Sequence, residues 1–286
     1  MWKETVSIAG PYDFQLALDR LKLDPINIVD VQNKSVMVPL IIDSKQVVIE
    51  VMGTGSLDNP QFLIQGTEEK ERSLQRLSRI FRWDVQLKKI HEHFQKTDLN
   101  LLFENHYGTP LILDFDPFAS LIKCIIHQQL NLAFAHTLTE RFVQTFGNEI
   151  DGVWFYPTPE KVSLIRVDQL RELQFSARKA EYVIGIAELV ASGALNFNKM
   201  DQMTDEEISS ELIKIRGVGP WTVQNFLMFA LGRENLFPVA DIGLQNALRQ
   251  YYNLEQKPTK VEMERFKEPW EPYLSYAALY LWRSIE

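Results

Sequence analysis

The chain has 286 residues, of which 45% are hydrophobic and 24% are charged, and its net charge is −8. This length suffices for two domains and a sizeable core, and the composition is that of an ordinary soluble protein. No apolar run is long enough to span a bilayer, and no signal peptide begins the chain. These features predict a cytoplasmic protein with no membrane partner. The single cysteine, Cys124, excludes an internal disulfide and any four-cysteine iron–sulfur or zinc site.

Residues 1–104 are predicted to form a small α+β domain built on an antiparallel sheet. A helix is expected over 12–23, and helical spacing returns over 72–94. The apolar runs between them are separated by short turn signals, as in an antiparallel meander of three or four strands. The expected strands are 26–31, 35–42, 46–52 and 61–64.

Residues 105–286 are predicted to form an all-α domain, so the fold class of the whole chain is α+β. Asp116-Pro117 has the form of a helix start, and Gly147 is suited to end the helix expected over 130–146. The other expected helices are 161–164, 177–193, 205–215, 220–232, 242–252 and 273–282.

The segment 212–222 predicts a tight hairpin between two helices. Gly217-Val218-Gly219 forms the turn, and Pro220 suits the first position of the second helix because its missing N–H costs nothing there. Such a turn exposes backbone N–H groups beside a helix N-terminus, which can hold a phosphate without any charged side chain. We expect the phosphate contacts to come from Gly217, Val218, Gly219, Pro220 and Thr222.

Asp241 is the candidate catalytic carboxylate and follows Gly219 by 22 residues. Its position alone favours a simpler role as the N-cap of the helix expected over 242–252. The family resemblance given next reverses that preference, because it implies a carboxylate here that stabilises an oxocarbenium-like sugar while a glycosidic bond breaks.

Together these features resemble the helix-hairpin-helix-GPD superfamily of DNA glycosylases, and within it the alkylation-repair branch of the AlkA type. The Gly-Val-Gly turn followed by Asp241 matches the superfamily motif. The resemblance covers nearly the whole chain, more loosely in residues 20–100. The segments that resemble the AlkA type are Gly10–Phe14, Asp116–Asn131, Pro157–Glu160, Ser176–Ala180 and Trp270–Trp282.

The resemblance implies a base pocket with two tryptophan walls, Trp221 and Trp282. Electron-rich indole faces would attract a cationic alkylated purine that has been flipped out of the duplex. Trp221 stands where bifunctional members of the superfamily carry a nucleophilic lysine, so the resemblance implies a monofunctional enzyme without lyase activity. It also places Gln128, Asn225 and Tyr273 in the pocket.

Four positions depart from the AlkA pattern and leave the substrate range open. Arg20 stands where an aromatic can line the pocket, and Asn225 stands where that branch can offer a tyrosine. Asn131 replaces the usual serine, and Leu274 replaces the usual arginine.

The resemblance further implies a wedge residue and a cation site. Leu132 is expected to fill the gap that the flipped base leaves in the duplex. The backbone carbonyls of Ile213, Ile215 and Val218 are expected to hold a structural Na⁺ or K⁺ that bridges to a DNA phosphate. No cofactor is expected to be required, and an iron–sulfur cluster is excluded.

The sequence therefore predicts a monomeric, nucleoid-associated DNA glycosylase that removes alkylated bases such as 3-methyladenine and 7-methylguanine from double-stranded DNA. The negative net charge argues against nucleic acid, but contacts made by backbone N–H groups need no positive charge. Two alternatives remain open at this stage. The enzyme could act on an oxidised or mismatched base, or the chain could be a helix-hairpin-helix protein that binds DNA without catalysis.

Overall fold

An antiparallel sheet of five strands forms the first part of the computed structural model, which describes residues 1–285. Its order is β1-β5-β4-β3-β2, and every pair is antiparallel. Helix α1, Phe14–Lys22, follows the first strand. The strands are β1 Trp2–Ser7, β2 Ile28–Asp30, β3 Ser35–Ile42, β4 Lys45–Gly53 and β5 Gln61–Gly66.

Strand β1 is absent from the prediction, which gave three or four strands. Its inward-facing positions are only half-buried and include Glu4, whose carboxylate lies 2.7 Å from the Lys70 ammonium. Without an apolar alternation the strand has no local signal. It forms because Trp2 to Ser7 pairs with Gly66 to Gln61, a partner about sixty residues away in the chain.

Helices make up most of the remaining chain. They are α2 Lys70–Ile80, α3 Leu87–Phe94, α4 Asn100–Asn105, α5 Pro117–His127, α6 Leu132–Phe146, α7 Pro159–Ser163, α8 Val167–Glu172, α9 Ala177–Ala191, α10 Phe197–Met200, α11 Asp205–Leu212, α12 Pro220–Phe229, α13 Ile242–Tyr251, α14 Lys260–Lys267 and α15 Leu274–Arg283. A short 3₁₀ helix, Glu268–Trp270, follows α14 directly. This arrangement confirms the predicted α+β class.

The helical run predicted over 72–94 is interrupted between α2 and α3. Arg82 has a φ of 55° in the left-handed region, which ends regular helix at this point. The turn places Trp83 in the core, where its ring stacks on Phe81 and on Phe62 of the sheet at centroid distances of 5.5 and 4.8 Å. Tertiary packing therefore overrides the local helical pattern.

A small hairpin, β6 Asn148–Ile150 and β7 Val153–Phe155, was also not predicted. Its turn residues Asp151 and Gly152 have φ angles of 52° and 80°. Asp-Gly with both φ angles positive is the preferred two-residue hairpin turn, so a signal was present in the sequence.

Two hydrophobic cores stabilise the molecule. One core joins the sheet and α1–α4 to the C-terminal helices α13–α15, and the other is formed mainly by α5–α12. Hydrophobic contacts therefore connect residues on both sides of positions 104 and 105. The predicted domain boundary at this point stays a prediction. Over residues 1–285, no helix combines the length and hydrophobicity needed to cross a membrane.

Candidate active site

The hairpin lies between α11 and α12, and Gly217 is its critical turn residue. Gly217 has a φ of 93°, and a Cβ atom there would come within 2.3 Å of the Tyr182 ring. Glycine is required for both reasons. The turn is closed by the Val218 N–H, which donates to the carbonyl of Ile215 over 3.0 Å.

Gly219 is the N-cap of α12 and faces open space. Any residue can adopt its φ of −112°, and an added Cβ would meet nothing within 4 Å. The protein itself therefore does not require glycine here, whereas close approach by a ligand would. The amides of Trp221 and Thr222 lie in the first turn of α12, where N–H groups have no partner within the helix.

Gln128 braces the hairpin from the end of α5. Its side-chain Nε2 donates to the Gly217 carbonyl over 2.9 Å and to Thr222 Oγ1 over 2.8 Å. The Thr222 side chain is buried. Both donors of the Gln128 amide are therefore used within the protein, and they tie α5 to the turn.

Lys179 stabilises the same end of α5. Its ammonium donates to the carbonyls of Ile125, Ile126 and Gln128 at 2.8, 2.8 and 2.6 Å. Burial lowers the pKa of Lys179 to about 8. A cation at a helix C-terminus satisfies carbonyls that have no partner within the helix.

Asp241 caps α13 and accepts hydrogen bonds from both predicted pocket tryptophans. Oδ1 accepts from the Leu244 N–H at 2.8 Å and from the Trp282 indole at 3.0 Å. Oδ2 accepts from the Trp221 indole at 2.9 Å. The N-cap role and the juxtaposition with the tryptophans therefore occur together.

This arrangement leaves the Asp241 carboxylate with unused acceptor capacity. An ionised carboxylate has about four lone-pair positions, and three of them are occupied here. Because Oδ1 accepts two bonds and Oδ2 only one, the remaining position is on Oδ2. The three N–H donors and the helix N-terminus stabilise negative charge at this point.

Two other predicted pocket residues, Asn225 and Tyr273, make their contacts with groups other than this carboxylate. The Asn225 side chain donates to the Trp221 carbonyl over 2.9 Å, so it is one helical turn from the cluster. Tyr273 packs edge-on against His93, with ring centroids 5.3 Å apart. Among the described residues, no hydrogen bond or ring contact joins Tyr273 to Asp241 or to either tryptophan.

Leu132 begins α6 and has 59% of its surface exposed. It follows Asn131, whose side chain accepts from the Phe134 N–H and so caps the helix as a serine would. The exposed Gln129 has a φ of 57° in the left-handed region. The loop from Gln129 to Leu132 therefore projects from the surface beside the hairpin brace.

Phe229 and Lys179 were not recognised as site residues from the sequence. Phe229 packs on Trp282 with ring centroids 6.1 Å apart. The helical spacing of Phe229 relative to Trp221 and Asn225 was the available signal, although the same spacing is common in any core. A separate cleft of about 1130 Å³ lies between the sheet and α5, and the residues lining it do not include Asp241, Trp221 or Trp282.

The hairpin and Asp241 both fall within a family match. The model of the HhH-GPD superfamily base excision DNA repair proteins matches residues 122–272. The chain belongs to this family. A Bacillus subtilis HhH-GPD relative, named "Putative DNA-3-methyladenine glycosylase YfjP", is 52% identical over 100% of both chains.

Solved structures agree with this HhH-GPD assignment. The 3-methyladenine DNA glycosylase of Archaeoglobus fulgidus superposes with a TM-score of 0.84 at 23% identity, covering 99% of this chain and 97% of that one, which shows the fold. The 3-methyladenine DNA glycosylase Mag1 of Schizosaccharomyces pombe, solved with abasic DNA, has a TM-score of 0.62 at 29% identity. That match covers 68% of this chain and 96% of Mag1.

Proposed function

We propose that this HhH-GPD protein is a monofunctional DNA glycosylase that hydrolyses the N-glycosidic bond of alkylated bases, 3-methyladenine and 7-methylguanine among them. The proposal rests on one observation: the indole N–H groups of Trp221 and Trp282 both donate hydrogen bonds to the Asp241 carboxylate. Two aromatic walls thereby meet at one negative charge. The names of the relatives support the same substrate class.

The proposed reaction begins when the damaged nucleotide leaves the duplex and its base stacks against the tryptophans. The C1′–N bond breaks, and its electron pair leaves with the base. Asp241 stabilises the positive sugar that results. Water then attacks C1′, and the free acceptor position on Asp241 Oδ2 orients it and receives its proton. A cationic alkylated base is already a good leaving group, so one carboxylate suffices.

The absence of lyase activity follows in this proposal from the chemistry of Trp221. An indole nitrogen has no available lone pair to attack C1′, and here its N–H is bound to Asp241. A primary amine at that position would form a Schiff base with the sugar and lead to strand cleavage. Base release should therefore leave the abasic strand intact.

The DNA backbone is proposed to bind at the hairpin, where Gly219 leaves room for a phosphate and α12 presents its N-terminus. Leu132 is proposed as the wedge because it is exposed at the start of α6. No cofactor is proposed, and the enzyme is proposed to act as a monomer. The carbonyls of Ile213, Ile215 and Val218 remain the proposed ligands for a Na⁺ or K⁺ ion.

Base release from methylated duplex DNA tests the proposal, with the wild type beside Asp241→Asn. Asparagine retains an oxygen that can cap α13, so a loss of activity would not reflect loss of the helix. We expect Asp241→Asn to lower the rate of release by about a thousandfold or more, while DNA affinity stays within about threefold. Asp151→Asn, at an exposed turn, is the matched control.

One gel of the same reactions reports on strand integrity. The proposal predicts intact abasic strands from the wild type, and strand cleavage by the purified enzyme would contradict the monofunctional assignment. Full turnover by Asp241→Asn would overturn the catalytic role of this carboxylate.

A further inference from the structure

Lys179 holds the end of α5 from the adjoining helix α9. Helix α5 ends at His127, and Gln128 follows it with a ψ of 129°, so no further helical turn supplies N–H groups to the last carbonyls. The Lys179 ammonium binds them instead, at 2.8, 2.8 and 2.6 Å from the carbonyls of Ile125, Ile126 and Gln128. An ammonium has three N–H donors, so all of them are used inside the protein and none is left for DNA.

The Lys179 ammonium is held by carbonyl oxygens and not by an ion pair. Lys179 is partly buried, and among residues 1–285 no carboxylate forms an ion pair with it. Glu181, two positions further along α9, pairs instead with Arg216 over 3.0 Å. What this cation stabilises is therefore the geometry of the α5 end.

The same end of α5 leads into the loop that carries Leu132, the proposed wedge. Gln129 opens this loop with a φ of 57°, a left-handed conformation that is strained for a residue other than glycine. The next firm restraint is the cap of α6, where the Asn131 side chain accepts a backbone N–H over 2.9 Å. The Lys179 bond to the Gln128 carbonyl therefore fixes where the loop begins.

We propose that Lys179 is a positioning residue for base extrusion, which fixes the Gln129–Leu132 loop so that Leu132 enters the duplex at one defined place. This inference rests on the proposed function, because it assumes a flipped nucleotide and a wedge. The side chain of Gln128 also binds the hairpin, so the same ammonium sets the loop relative to the proposed phosphate site.

A fixed loop favours extrusion through its conformational entropy. A loop that is already held in one conformation loses less freedom when its wedge enters the duplex, so the extruded state is more populated. The gain matters most for a lesion that is still fully paired, because extrusion costs least for a base without a proper partner. Loss of Lys179 should therefore slow release selectively, according to how well the lesion is paired.

Single-turnover release from two duplexes tests this inference, with 7-methylguanine opposite cytosine in one and opposite a tetrahydrofuran abasic analogue in the other. Lys179→Met keeps the unbranched stem but has no N–H donor. We expect it to slow release from the cytosine duplex by about tenfold, and from the unpaired duplex by less than about threefold. A purely structural role would lower both rates by the same factor, through loss of active protein.

Two further variants separate positioning from folding. Lys179→Arg keeps the charge and the donors, so the ratio of the two rates should stay within about twofold of the wild type. Lys179→Gln removes the charge and shortens the reach, so it should give the same selective loss if the methionine variant does not fold. The matched control is Lys199→Met, which removes the same charge from an exposed position in α10 beside the separate cleft. Its ratio should equal that of the wild type.

Equal slowing on both duplexes in Lys179→Met and Lys179→Gln, or a ratio within about twofold of the wild type, would overturn the positioning role while leaving the proposed function intact. Failure of the wild type to release 7-methylguanine from either duplex would instead overturn the proposed function, and this inference with it.

Discussion

At the residue scale, Asp241 combines an observed helix cap with the catalytic role proposed for it. It caps α13 through Oδ1 and gathers two indole N–H groups, so the cap holds the carboxylate at the aromatic walls. The sequence motif and the family resemblance identified Asp241, Trp221 and Trp282 as candidate site residues. That the tryptophans donate to the carboxylate could not be foreseen, because it depends on how α12, α13 and α15 converge.

Replacing Trp282 by phenylalanine keeps an aromatic ring but removes the indole hydrogen bond to Asp241. Trp282→Phe should lower kcat about tenfold with a smaller change in KM, because Asp241 loses one fixed donor while an aromatic wall remains. Multiple-turnover release from 7-methylguanine DNA over a range of substrate concentrations measures kcat and KM. Trp154→Phe, in the separate cleft, is the control. A change confined to KM would show that Trp282 acts only by stacking.

At the element scale, the hairpin is held in place by contacts from other helices. Gln128 at the end of α5 binds the turn, and Lys179 in α9 binds the end of α5. The Gly-Val-Gly turn and the start of α12 were predictable from local chain chemistry. That Gln128 lines the base pocket stays a prediction. In the structure, its amide N–H groups already donate hydrogen bonds to Gly217 and Thr222.

This brace predicts that Gln128 controls DNA affinity through the hairpin. Gln128→Leu keeps the size of the side chain but leaves the Gly217 carbonyl without its donor, so the amides proposed to bind phosphate lose their fixed orientation. We expect the Kd for an abasic-site duplex to rise about tenfold, with a smaller effect on the rate of bound substrate. Fluorescence anisotropy measures the affinity. Gln144→Leu, exposed near the far end of α6, should leave it unchanged.

An unchanged affinity in Gln128→Leu would mean that the turn keeps its shape without the brace. A loss confined to the rate of bound substrate would favour the predicted pocket role of Gln128 instead.

At the scale of the whole molecule, Asp98 joins the first part of the chain to the last. Its carboxylate accepts from the indole of the fully buried Trp270 over 2.7 Å and from the Tyr252 hydroxyl. Its backbone carbonyl accepts from Tyr251 over 2.8 Å. These bonds tie the segment before α4 to α13 and to the 3₁₀ helix that precedes α15.

Removing this junction should destabilise the protein as a unit. Asp98→Ala leaves the buried Trp270 N–H without an acceptor, so we expect the free energy of unfolding to fall by about 1–3 kcal/mol. Asp98→Asn keeps one acceptor oxygen and should lose less. Urea denaturation followed by tryptophan fluorescence measures both. Equal stability of Asp98→Ala and wild type would show that packing alone holds the C-terminal helices to the sheet.

The sequence by itself determined the fold class, most of the helices, the hairpin turn and the N-cap position of Asp241, whose catalytic role stays a prediction. These depend on caps, turn residues and hydrophobic periodicity, which act between residues close together in the chain. Only the tertiary structure decided the pairing of β1 with β5, the packing of Trp83 at the break between α2 and α3, and the two indoles on Asp241. Each of these joins residues far apart in sequence, so it follows from how whole elements pack and not from any local pattern.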